Sequence, residues 1–165
     1  MVDTMSIPWM TGVEVATAIR EKKVSCLEVL DALLDRIHRL DRPTGNESDR
    51  RINSVVVLYE EYARSKAIAA DAALSRGESW GPLHGVPMTI KECNFWGKTA
   101  TTNGDPAKVR PPITATEDIE CAAGHEPLVQ RLLDAGVIIF GKVRVLNYSE
   151  CIQLLSETHG KIFNN

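Results

Sequence analysis

A chain of 165 residues with 44% hydrophobic and 25% charged residues has the length of one ordinary domain and the composition of a globular one with a substantial core. Its formal net charge of −3, with no Lys/Arg block, argues against nucleic acid or an anionic membrane surface as the main partner. No uninterrupted apolar stretch approaches the length of a membrane span, and residues 1–10 carry neither a basic flank nor a long apolar run, so a soluble cytoplasmic protein is expected.

In chain order, residues 11–21 predict a short helix with Val13, Val15, Ala16 and Ile19 on a partly apolar face. Lys22 and Lys23 follow it, where cations complement the helix dipole. Ser25 and Glu28 form an S-x-x-E capping box that opens a second helix. Leu30, Leu33, Leu34, Ile37 and Leu40 then continue an apolar stripe at helical spacing, which Asp41, Pro43 and Gly45 stop. His38, beside that stripe, reads as a surface or satisfied histidine. Segment 44–51 is polar and turn-rich, and residues 52–58, with Val55, Val56 and Val57, favour a strand.

From Glu60 to Arg76 the period is helical again, through Ala63, Ala67, Ala70 and Leu74, and Gly77 closes the helix. An alanine stripe predicts close packing against another element. Val86 to Ile90 predicts the next strand, introduced by Trp80 and a Gly/Pro turn. Gly97, Thr99, Thr101, Thr102, Asn103, Gly104 and Pro106 then make a small-residue loop, either substrate-facing or plain surface. Irregular chain is expected as far as about Pro127. Leu128, Val129, Leu132 and Leu133 mark an amphipathic helix ended by Gly136, and Val137 to Phe140 a buried strand. Helix, Ala-Gly turn and apolar strand in that order point to an α/β fold. A short helical piece is expected around residues 148–155.

Cys26, Cys93, Cys121 and Cys151 form no C-x-x-C pair and are expected as free thiols. Cys121 and His125, with Cys151 and His159 downstream, match no standard zinc spacing, and no metal or cofactor is expected. The stretch around which the chain is organised is Gly81-Pro82-Leu83-His84-Gly85-Val86-Pro87-Met88-Thr89-Ile90-Lys91-Glu92. A lysine at the end of an apolar strand is either exposed just past the strand or held where burial disfavours its charge, so that it can act as a neutral base. Spacing leaves both readings of Lys91 open.

This stretch resembles the amidase signature family, whose members carry a G-P-L-H-G-V-P segment followed by an apolar run and Lys-Asp; Glu92 stands here at the Asp position. Residues 25–40 resemble the family's N-terminal helix, and residues 52–76 its strand and alanine-rich helix. Residues 97–104 resemble its G-x-x-T-T-x-G loop, residues 129–142 its V-x-R-L-x-x-A-G-x-x-x-x-G-K segment. Gln153 with residues 160–165 resembles the segment that leads towards the nucleophile. Two departures stand out. Residues 141–147 read Gly-Lys-Val-Arg-Val-Leu-Asn where the family has G-K-T-N-x-x-E, which predicts altered packing near the site. Residues 119–127 look like extra sequence, either an inserted loop or a product of faulty gene prediction or intron retention.

The resemblance implies the N-terminal part of the amidase signature fold, an α/β architecture with a mixed β-sheet flanked by helices. Residues 10–76 would supply the N-terminal helices and first strand, and residues 77–165 a partial catalytic core. It implies amide hydrolysis by a Ser–cis-Ser–Lys triad with Lys91 as the triad lysine and a small-molecule amide as substrate. The family's bridging serine lies in a Gly-Gly-Ser-Ser-Gly stretch, and none of the eleven glycines here belongs to one. The chain is therefore expected to be a truncated form, inactive alone and prone to self-association through uncovered apolar surface. A degenerate non-catalytic binding protein and an amidotransferase A-type subunit of a larger complex are the alternatives.

Overall fold

Local side-chain chemistry starts the first two helices. The computed structural model describes residues 3, 5–41, 52–103, 105–145, 155–156 and 160–161. In it, helix α1 (Gly12–Arg20) begins with a capping box between Thr11 and Glu14, and α2 (Cys26–Leu40) with the expected one between Ser25 and Glu28. Each box satisfies amide groups that a helix start leaves without partners. The apolar face of α1 is Val15, Ala16, Ala18 and Ile19; Val13, expected on it, is 74% exposed. In α2, Cys26, Val29, Leu30 and Leu34 are buried, and His38 pairs with Glu60 at the surface.

Strand β1 (Val55–Leu58) leads directly into α3 (Glu60–Ser75). Ala63, Ala67, Ala70 and Ala73 are all buried, so the alanine stripe brings α3 close to its neighbours as expected. Strand β2 (Pro87–Lys91) follows, then a helical turn α4 (Thr116–Ile119), helix α5 (Pro127–Asp134) and strand β3 (Ile138–Val143). Leu155–Ser156 and Gly160–Lys161 pair as short antiparallel strands β4 and β5. The turn-rich segment 44–51 and the helical piece expected at 148–155, except Leu155 in β4, lie outside the described residues, as do Cys151, Gln153 and His159.

β3 is the centre of a mixed sheet in the order β1-β3-β2, antiparallel to β1 and parallel to β2. Both faces of β3 are covered. Ile138 and Phe140 join the cluster of α1, α2 and α3, whereas Val137 and Ile139 face Trp96, Ile119 and Val129. A strand buried on both sides reads as a continuous apolar run, and that is how this one begins. The expected α/β architecture, a mixed sheet flanked by helices, is therefore present. No helix among the described residues is long and apolar enough to cross a membrane.

Two expectations need correction. β3 does not stop at Phe140 but runs on through Gly141 and Lys142 to Val143, because ladders on both sides continue it. The segment before α5 is not wholly irregular: Ile119 in α4 is fully buried and draws the chain into a helical turn. Residues 119–127 are tied to the loop before them through His125 and Glu126. The Gly97 N–H donates to His125 Nδ1 at 2.8 Å, and Glu126 exchanges hydrogen bonds with the Phe95 backbone.

Candidate functional site

The motif from Gly81 to Glu92 is a turn pinned to α3 and α5, followed by a strand with a charged end. His84 is buried. Its Nδ1 accepts the Trp80 N–H at 2.9 Å, which fixes the proton on Nε2, and Nε2 donates to the Ala70 carbonyl at 3.1 Å. The motif histidine thus staples the turn to α3. Gly85 has φ +71°, and a Cβ there would overlap Cys26 Sγ. Only glycine combines that backbone with that contact.

Lys91 is the last residue of β2, paired with Val143, and its side chain is exposed. Among the described residues its ammonium has no hydrogen-bond or ion-pair partner. The burial that a neutral lysine base requires is therefore not supplied by the residues around it here. Of the two positions that spacing left open, the exposed one is observed.

The chain after Lys91 is held by backbone hydrogen bonds, a buried tryptophan and a buried carboxylate. Asn94 N–H donates back to the Lys91 carbonyl at 3.0 Å, closing a turn. Trp96 then drops into the core, fully buried, edge-on to Tyr59 and Tyr62 at 5.1 and 5.7 Å. Glu92 is buried, and its carboxylate accepts the backbone N–H groups of Thr102 and of Asn103, the latter at 3.0 Å. The carboxylate in place of the family's shorter one thus anchors the far limb of the loop.

The opposite charge comes from Lys142. A bulge in β3 pairs Met88 with Ile139 but Thr89 with Gly141, which places Lys142 beside Ile90. Ile90 faces the Trp96 side of the sheet, and Lys142 reaches there. Its side chain is completely buried, and Nζ donates to the Asn94 carbonyl at 3.1 Å, the Ala100 carbonyl at 2.8 Å and Thr101 Oγ1 at 3.1 Å. Burial pushes its pKa down to about 8, with the Glu92 carboxylate opposing that shift. In sequence, Lys142 is marked only as the last residue of the family-like segment 129–142, with no chemical role assigned to it. The available signal was a single charge inside the apolar run of a central strand, where charges occur only with partners.

Of the substituted stretch after Lys142, residues 143–145 are described. Arg144 is buried and donates through Nε and one terminal nitrogen to the Asn53 carbonyl, with the Asp41 carboxylate nearby. Asp41 in turn accepts the backbone N–H groups of Ser54 and Val55. Cys26, Cys93 and Cys121 are free thiols. No His/Cys/Asp/Glu group among the described residues is arranged to hold a metal.

The Amidase family model matches residues 28–160. An amidase of Pseudomonas putida is 32% identical over 145 residues, covering 87% of this chain and 27% of that protein. The A-type subunit of a glutamyl-tRNA(Gln) amidotransferase from Halorhodospira halophila is 34% identical over 135 residues, covering 82% and 24%. A solved amidase crystal structure superposes with a TM-score of 0.73 at 26% identity, over 94% of this chain and 31% of that one. The chain spans about a quarter of the length of these curated relatives.

Proposed function

As the chain belongs to the Amidase family, we propose that it carries the lysine of an amide-cleaving site, with Lys91 as the final proton acceptor of a Ser–cis-Ser–Lys triad. The observation that supports this reading is the place of Lys91 within the family match of residues 28–160: it ends β2 at the rim of a loop fixed by two buried charges. A proton acceptor must be within reach of the group it serves and largely neutral at working pH. Polypeptide that supplied the serines could also cover Lys91 and disfavour its charge. Residues 1–165 contain no Gly-Gly-Ser-Ser-Gly stretch, and by themselves they give no turnover. The substrate is a small-molecule amide, the compartment the cytoplasm, and neither nucleic acid nor membrane is a partner.

The test joins residues 1–165 to the remaining portion of the Pseudomonas putida amidase in place of the matching segment. Hydrolysis of simple aliphatic and aromatic amides by the joined protein, with none by residues 1–165 alone, supports the reading. Lys91-dependent hydrolysis by residues 1–165 alone overturns the requirement for the serines. A second reading draws on the relatives named as A-type subunits of amidotransferases. In it the chain works within a larger complex, and stoichiometric co-purification with partner proteins distinguishes that case.

A further inference from the structure

A buried lysine that the proposed chemistry does not use calls for a reason. In a core, a well-packed apolar residue of similar volume would generally serve stability as well as a charge or better. All three N–H groups of the Lys142 ammonium are engaged, and their acceptors come from both limbs of one loop. Asn94 belongs to the outgoing limb, Ala100 and Thr101 to the returning one. Thr101 Oγ1 also donates to the Asn94 carbonyl at 3.3 Å, so lysine, threonine and carbonyl close a triangle. Asn94 in turn donates its backbone N–H to the Lys91 carbonyl. One residue, hydrogen-bonded at both of its backbone groups, therefore links the Lys142 ammonium to the Lys91 backbone.

We propose that Lys142 is a positioning residue for Lys91: its ammonium fixes the turn in which β2 ends and thereby the direction from which Lys91 is presented. The proposal rests on the reading of Lys91 as the proton acceptor. An ammonium suits the task because it offers three donors in a tetrahedral fan, whereas methionine offers none and the planar guanidinium of arginine has a different geometry. Glu92 holds the other side of the same loop through Thr102 and Asn103. The loop is thus clamped between one buried cation and one buried anion.

The charged and titratable groups facing Lys142 are Glu92, Cys93 and Glu126. Cys93 is the thiol among them, and Cys93→Ser separates any contribution of it from that of Lys142. The experiment follows backbone carbonyl and amide chemical shifts of Lys91, Asn94, Ala100 and Thr101 between pH 6 and 10 in the intact chain. The Lys142 Cε resonance is read alongside. The measurement is made in the wild type, in Cys93→Ser and in Lys142→Met. The expected result is one midpoint shared by the four backbone sites and Lys142, retained in Cys93→Ser and lost in Lys142→Met. Backbone shifts at Lys91 and Asn94 that ignore the Lys142 titration, or that titrate equally in Lys142→Met, overturn the proposal. Should Lys142→Met fail to fold, the wild type and Cys93→Ser decide the matter alone. No turnover enters this measurement, so its failure and a failure of Lys91 in catalysis are distinguishable.

Discussion

Replacing Lys142 by methionine should change the pH dependence of stability in a direction that the burial of this residue dictates. The folded chain holds the Lys142 pKa at about 8, against an ordinary 10.5. At about 1.4 kcal/mol per pH unit, keeping the ammonium buried at neutral pH costs about 3 kcal/mol relative to an unperturbed lysine. Between those two values the unfolded chain binds more protons than the folded one, so this lysine's contribution to stability rises with pH. Integrated from pH 7 to 9.5, the gain is about 2 kcal/mol. Other groups act in the opposite direction. Burial raises the pKa of Cys26 and Tyr62 and pushes Tyr59 up to about 12, so each favours unfolding as the solution becomes alkaline. They are common to both proteins and cancel in the difference. Urea unfolding followed by tryptophan fluorescence, to which buried Trp96 contributes, at low micromolar concentration, should therefore show the stability of Lys142→Met minus wild type falling by about 2 kcal/mol between pH 7 and 9.5. A difference that stays flat across that range would refute a buried, protonated Lys142.

His84→Ala leaves the Trp80 N–H and the Ala70 carbonyl without their ring partner, and chemical denaturation should show a loss of about 2–3 kcal/mol. Gly85→Ala places a methyl group against Cys26 Sγ at a backbone angle that alanine resists; a loss of about 2–3 kcal/mol is expected, and unchanged thermal stability would contradict the packing described. In the described sheet β1 and β2 are edge strands, so sedimentation velocity of residues 1–165 should show self-association, and a monomer with a sharp reversible melt would speak against it. Lys91→Met removes an exposed ammonium without a partner among the described residues, so the stability of residues 1–165 should change by no more than about 0.5 kcal/mol.

Local devices are readable in the sequence because their parts lie within one or two turns of each other. The Ser25–Glu28 box and the leucine stripe of α2 need only a spacing of three or four residues, and the alanine stripe of α3 announces close packing by its lack of bulk. What escapes a reading of the sequence depends on distant partners. α4 is a single turn, too short to show a period, and it forms because Ile119 is buried from the far side. Glycine and lysine interrupt the apolar run of β3 after Phe140, yet strands from elsewhere in the chain pair with it on both sides and carry it to Val143. The candidate site divides in the same way. Lys91 is legible from its motif, whereas Lys142 gains its meaning from backbone oxygens of a loop more than forty residues earlier in the chain. Glu92 departs from the family pattern in sequence, and in the structure it is the carboxylate that holds the other half of that loop.

Whether Lys91 accepts the proton is tested directly by the amide hydrolysis rate of residues 1–165 joined to the remainder of the Pseudomonas putida amidase, compared with the same protein carrying Lys91→Met. If Lys91 accepts the proton, kcat/KM should fall by roughly 10²–10⁴ while circular dichroism and denaturation midpoints stay unchanged. A Lys91→Met protein that folds normally and hydrolyses amides within a few-fold of its parent would contradict the account.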